Sequence, residues 1–433
     1  MSDTKISALP AVNTAADTDL LPLVQGSGGG ATTRRASLAQ VRSRLLADRA
    51  LHVRDFGAVG DGVTNDAPAI QAAVNAMQAG GGGTLLFGPR RYRVASAVVI
   101  SSAVTLQGAG YTEGPNPADG TWILIDSTSF TPFTFTSASA RGSAVRDIAF
   151  RQSHTAPLNA SWAPNNYDYL FRVVDCIGAV DFENLFFCGI NKGIFCDNSG
   201  RLNIQRLRGQ IYTTGIEIDR CFDIPRIHYV HFWTFVTAND NVVRWQQDNQ
   251  DAMIFRRCDG VFLADIFCLG ARSVLRFSSS TSGVTTKFTV TSLYADFAKY
   301  GVWIDGSGSM GQIGSATTQS ELWNSGGTPL SGSNGIRVDA DAVQVQIGNL
   351  RVDKAENNAV RVNGNGNRID IFAFRAEAYN TQNNGSAAIH LVNASVPHRV
   401  YLGSPAILGN GNGGPLANSG GNGAVFVPQE VQA

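Results

Sequence analysis

From Val145 onward, one arrangement of apolar positions keeps returning: apolar, any, apolar, two variable residues, apolar. It reads VDFENLFF from Val180, LNIQRLR from Leu202, FDIPRIHY from Phe222 and VFLADIF from Val261. It continues as FTVTSLY from Phe288, VQIGNLR from Val345, IDIFAFR from Ile369 and, more loosely, VYLGSPA from Val400, with VRDIAF from Val145 a partial match. A second, shorter pattern alternates with it: GIFCD from Gly193, GIEID from Gly215, GVWID from Gly301, GIRVD from Gly335, AVRVN from Ala359 and AIHLV from Ala388, with VLRFS from Val274 a loose fit. Each unit therefore carries at least two short strands, and units recur about every 20 to 40 residues. Period-two alternation over so few residues excludes a helical solenoid. Short strands repeating at this interval stack on their equivalents, which predicts an all-β, single-stranded parallel β-helix of about ten coils, right-handed by crossover chirality.

A solenoid exposes apolar core and unpaired backbone at its ends, so it needs caps. The stretch DFGAVGDGVTNDAPAIQAAVNAM, Asp55 to Met77, supplies a candidate. Its glycines, Gly57, Gly60 and Gly62, could suggest a phosphate cradle, but the helix opens with Asp66, Ala67 and Pro68 where a P-loop needs Lys and Ser or Thr. Asp66 fits an N-cap, and Pro68 costs nothing in the first turn. Ile70, Ala73, Val74 and Met77 line one helical face, and Gly80 to Gly83 end the helix. Its expected role is an N-terminal plug. Near the start of the chain, Ser37 and Gln40 have capping-box spacing and predict a short helix to Leu46.

Composition adds constraints. The 433 residues are only 16% charged, with a formal net charge of zero, which gives no electrostatic case for nucleic acid or an acidic membrane. No run of 18 apolar residues exists, so no membrane insertion is expected, and the first 20 residues lack the apolar core of a signal peptide. The cysteines, 176, 188, 196, 221, 258 and 268, lack C-x-x-C spacing and mostly sit in apolar runs. They read as buried reduced thiols, with no metal site and no cofactor.

The segment VRDFGAVGDGVTNDAPAIQAAVNAMQAGGGGTLLFGPRRYRV resembles the opening of the pectate-lyase-like β-helix proteins of phage tailspikes and polysaccharide-degrading enzymes. KISALPAVNTAADTDLLPLVQG, followed by TTRRASLAQVRSRLL, resembles the segments by which phage tail fibres and spikes dock on the virion. The resemblance implies four regions: a virion-attachment segment, 1–50; the cap and first coil, 51–94; the β-helix, 95–408; and a Gly/Asn-rich C-terminal segment, 409–433. It also implies a homotrimer, docking of residues 1–50 on phage baseplate or tail proteins, and a place in the virion tail after synthesis in the host cytoplasm.

Candidate chemistry is sparser. Glycan cleavage calls for paired carboxylates. The Asn-Thr-Asp, Asp-Asp, Gly-His-Gly and Arg-Ile-Lys motifs of the polygalacturonase branch are absent. Asp197, Asp219, Asp305, Asp339 and Asn363 end the second-pattern strands and read as stacked turn residues. Arg351 with Asp353 and Arg375 with Glu377 read as a surface ion-pair ladder. The outward position of the second pattern gives Phe195, Glu217, Arg276, Trp303, Arg337, Arg361 and His390, a stripe suited either to sugars or to a trimer interface. Three long insertions, 153–170, 231–255 and 320–334, carry Trp162, Trp233, Trp245 and Trp323. They read either as a binding site projecting from one face or as loops folded over the coils with each Trp as an anchor.

Three functions compete: a depolymerase of bacterial surface polysaccharide, a structural or adhesin tail protein that binds without cleaving, and a bacterial polysaccharide-modifying enzyme. The best-placed catalytic candidates are Asp240, Asp248 and Asp251, with Glu217 beside them. The best-placed sugar-binding candidates are Trp162, Trp233, Trp245, Trp303, Arg337 and Arg361.

Overall fold

The computed structural model describes residues 16, 18–25, 32–41, 50–381, 383, 385–392, 394–407, 416–418 and 423–426. The chain forms two compact units, Met1–Leu51 and His52–Ala433. In the first, strands Leu20–Gln25 and Thr32–Ser37 pair antiparallel, from Leu20 opposite Ser37 to Gln25 opposite Thr32. The predicted capping box is present: the Ser37 amide donates to Gln40 Oε1 at 2.9 Å and the Gln40 amide to Ser37 Oγ at 3.1 Å. The helix it opens is described to Val41, so its expected end at Leu46 lies outside the described residues.

The second unit is a parallel β-helix. The recurring "two variable residues" are a corner. Asp147, Asn184, Arg206, Tyr229 and Asp265 occupy this position on successive coils, each with φ between 50° and 58°. A left-handed residue there breaks the period-two alternation once, so the apolar residues before and after it both point inward. Each first-pattern segment thus makes two faces, and the second pattern makes a third. On the first face, Phe182, Ile204, Ile227, Leu263, Val290, Ile313, Ile347, Ile371 and Leu402 stack in register. On the third, the stack runs Phe133, Phe171, Ile194, Ile216, Met253, Leu275, Val302, Ile336, Val360 and Ile389. All are buried. Beyond Ile407, strands Leu416–Asn418 and Gly423–Phe426 continue the parallel pairing on strands Ile389–Leu391 and His398–Ile407.

Several insertion bounds need correction: Tyr169 and Leu170 belong to strand Tyr169–Val174, and His231 and Phe232 to strand Arg226–Phe232. Asp251–Phe255, assigned to the middle insertion, is a third-face strand paired with Asn203–Cys221 and Ser273–Phe277. Its segment, DAMIF, has Ala252 where the preceding GIEID strand has Gly215, and every residue in it is buried.

Helix Ala67–Ala79 buries Ala67, Ile70, Ala73, Val74 and Met77, the predicted face, against the first coils. Asp66 is not its side-chain cap. Instead the buried Asp66 carboxylate turns back and accepts from the amides of Val59, at 2.6 Å, and Gly60, at 3.2 Å. Asn65 takes the capping role, accepting from Ala67 at 3.2 Å and from Ala95 at 3.0 Å. Gly57, Gly60 and Gly62 all have positive φ, so the motif is a backbone turn tied by a carboxylate rather than a phosphate site. All six cysteines are free and buried.

Candidate functional site

The outward column of the third face is continuous. In register it runs Thr134, Arg172, Phe195, Glu217, Ile254, Arg276, Trp303, Arg337, Arg361 and His390. The seven predicted stripe residues are all there. Thr134, Arg172 and Ile254 join them; Ile254 was hidden inside a segment read as insertion, and Thr134 and Arg172 lie in strands that neither recurring pattern picks out.

Neighbouring charges in this column neutralise one another. Glu217 accepts from Arg256 Nε at 2.7 Å and from the Tyr169 hydroxyl. Asp251 accepts from Arg272 Nε at 2.9 Å, Ser273 Oγ at 2.7 Å and Arg276 Nη1 at 2.8 Å. Arg276 also reaches Asp305 and lies 4.0 Å from the Trp303 ring centroid. Asp339 gathers Trp303 Nε1 at 3.1 Å, Arg361 Nη1 at 3.0 Å and Arg337 Nε. Arg172 rides 5.0 Å from the Phe195 centroid and binds Asp168. Burial alone would raise the Asp168 carboxyl, but the bonds from Arg172 and Thr131 outweigh it and hold the group at about 2. The same competition leaves Asp251 below its ordinary value, with Arg272, Ser273 and Arg276 overcoming burial.

This overturns part of the turn-residue reading. Asp197, Asp305 and Asp339 bind arginines, Arg220 in the case of Asp197. Asp219 alone of the four aspartates bonds turn backbone, accepting from Arg220 at 2.8 Å and Arg257 at 3.1 Å. The ladder of Arg351 with Asp353 and Arg375 with Glu377 is present, linked across coils by Arg351 to Glu377 at 3.2 Å.

The three insertions occupy the same corner of their coils, between the second and third faces, and merge into one shelf. Residues Asp240–Asn249 of the middle insertion form a helix capped by Asn239. Its Asn241 donates to Pro157 O of the first insertion at 3.0 Å. Trp162 and Trp245 meet edge-to-face at 6.0 Å. Toward the third insertion, Arg244 donates to Trp323 O at 3.2 Å and Gln247 to Glu321 O at 2.8 Å. Trp162 is 6% exposed, with its Nε1 bonded to Thr155 O, so the ring is an anchor and not a presented platform. Trp233, at 44% exposed, is the open ring of the set.

The four candidate carboxylates do not converge. Asp251 is buried in its arginine cage, and Glu217 is held by Arg256 and Tyr169. Asp240 opens the shelf helix within reach of Arg244 and Asn324, and Asp248 is exposed near the helix's far end. No group of His, Cys, Asp and Glu suited to a metal ion occurs among the described residues.

Residues 50–127 match the family described as "Rhamnogalacturonase A/epimerase, pectate lyase-like". Mannuronan C5-epimerase AlgE6 of Azotobacter vinelandii is 43% identical over 76 residues, 17% of this chain and 9% of that protein. ORF18 of Geobacillus virus E2 superposes with TM-score 0.43 at 13% identity, covering 94% of this chain and 67% of the other. The exopolygalacturonase of Thermotoga maritima gives TM-score 0.47 at 10% identity, covering 88% and 91%. Over residues 50–127, its cap and first coils, the chain thus matches a pectate-lyase-like family, and its body is a parallel β-helix.

Proposed function

We propose that this protein is a phage tail spike or fibre component that holds bacterial surface polysaccharide on its β-helix without cleaving it. The observation that carries the reading is the third-face column, a repeated array of aromatic rings and guanidinium groups beside the insertion shelf. Arg337 and Arg361 retain N–H groups beyond those bonded to Asp339 and Tyr300, and Trp303 adds an aromatic surface. Such groups take sugar hydroxyls and C–H faces. The aspartates fix the arginines in place, which lowers the ordering cost of binding. The ion pairing of Glu217 and Asp251 favours binding over acid–base cleavage, because neither is a free carboxyl facing another. Docking of residues 1–50 on the tail fits the exposed Leu20, Leu21, Leu23 and Val24 of the first unit, since a lone two-stranded hairpin is marginal without a partner. The homotrimer and the virion location belong to the same proposal.

The test pairs a binding assay with a chain-length assay on polysaccharide from the bacterial surface. Retention of the polymer without shortening is the expected result. Shortening that disappears in Glu217→Gln or Asp251→Asn, with binding retained, would instead establish a depolymerase.

A further inference from the structure

The first face carries a second site with the opposite character. Two cavities, of 340 and 390 Å³, share Gln346, Arg368 and Asp370 and join into one trough. The trough crosses five coils, from Lys287–Thr289 to Arg399–Tyr401, a run of roughly 19 Å at the usual strand spacing. One wall is the register column Met310, Gln344, Arg368, Arg399, and the other is Thr289, Gln312, Gln346, Asp370, Tyr401.

Three features set it apart from the third face. The side-chain amides of Gln312, Gln344 and Gln346 are exposed and make no protein hydrogen bond, so their donors and acceptors await a ligand. Lys287, Arg368 and Arg399 face a single carboxylate, Asp370, which Arg368 already binds at 3.1 Å. The trough is therefore net positive. At one end Phe372, 49% exposed, meets Tyr401 at 5.9 Å and offers ring surface.

We infer that this trough binds a linear anionic polysaccharide lying along the β-helix axis. A site repeating once per coil suits a ligand that repeats along its own length. Amides take its hydroxyls, the cations take its acidic groups, and the Phe372–Tyr401 pair takes a sugar face. A second copy of this chain is the rival occupant, and like charges in facing cationic rows disfavour it. The inference rests on the polysaccharide-binding reading but places a contact on a face that reading does not use.

Affinity electrophoresis of the full-length protein tests it, with polygalacturonate and hyaluronate as acidic probes and dextran as the neutral one. Wild type should be retarded by an acidic probe, less so as salt rises, and not by dextran. Gln346→Glu places a repelling charge where the cavities join, and Lys287→Gln with Arg399→Gln removes two exposed cations. Each should weaken acidic-probe binding at least tenfold with an unchanged melting temperature. Arg351→Gln, which removes an exposed cation from the ion-pair ladder outside the trough, should leave it unaltered. Equal retention of wild type and Gln346→Glu, equal retention by dextran, or no retention by either acidic probe overturns the inference. So does a change of oligomeric state in Gln346→Glu, which would make the face an interface between copies. If bacterial surface polysaccharide binds wild type and Gln346→Glu alike, this inference fails while the function stands; if it binds neither, both fail.

Discussion

Single residues in this chain act chiefly through what they tie down. Asp66 closes the glycine turn ahead of the cap helix. Asp66→Ala would leave the Val59 and Gly60 amides without their acceptor, a cost of about 1–3 kcal/mol measurable as a lowered denaturant midpoint. The sequence displayed the aspartate and its position but not its direction, because N-cap and turn-tie aspartates precede a helix identically; only the long-range fold of the turn decides between them. Ile347, fully buried in the first-face stack, sets a different scale. Ile347→Ala should cost about 2–5 kcal/mol by urea unfolding. Ile347→Asp should cost more, since the new carboxylate has no partner there. Asp168 supplies a pH signature. Its folded pKa is about 2, below the ordinary aspartate value of 3.8, so its contribution is present above pH 3.8 and is lost as pH falls toward 2. Acid titration of the melting temperature should decline across that window, and Asp168→Asn should flatten part of the decline.

At the scale of elements, strand stacking was readable and charge pairing was not. Period and spacing placed Phe195, Glu217, Arg276, Trp303, Arg337, Arg361 and His390 in one column, because a coil repeat fixes register regardless of side-chain chemistry. Which aspartate meets which arginine depends on side-chain reach between coils, and that leaves no periodic trace. The cage around Asp251 follows from such reach: Arg272 and Arg276 converge from the next coil. Arg276→Ala should destabilise by about 3 kcal/mol, toward the lower end for a broken buried pair because Arg272 remains. A double-mutant cycle with Asp251→Asn would measure the coupling. The insertions were legible as insertions, from length and tryptophan content. Their fusion into one shelf was not, since it rests on contacts such as Asn241 to Pro157 across distant sequence.

For the whole molecule, the boundary at Leu51 between the two compact units predicts that removing residues 1–50 leaves a cooperatively folded β-helix, checked by circular dichroism and thermal melting. The same deletion should abolish incorporation into virions if that segment docks the protein on the tail. The three corners of the coil also differ in freedom. The left-handed corner from Asp147 to Asp265 is always two residues, and a single insertion there would turn every following apolar residue of its strand outward. The corner bearing the shelf has no such constraint: residues 270–272 and 297–299 close it briefly, whereas 233–250 interposes an entire helix. From Ser143 onward the longest excursions therefore gather on one edge of the solenoid. An edge of this kind can be lengthened or rewritten without disturbing the register that the left-handed corner enforces.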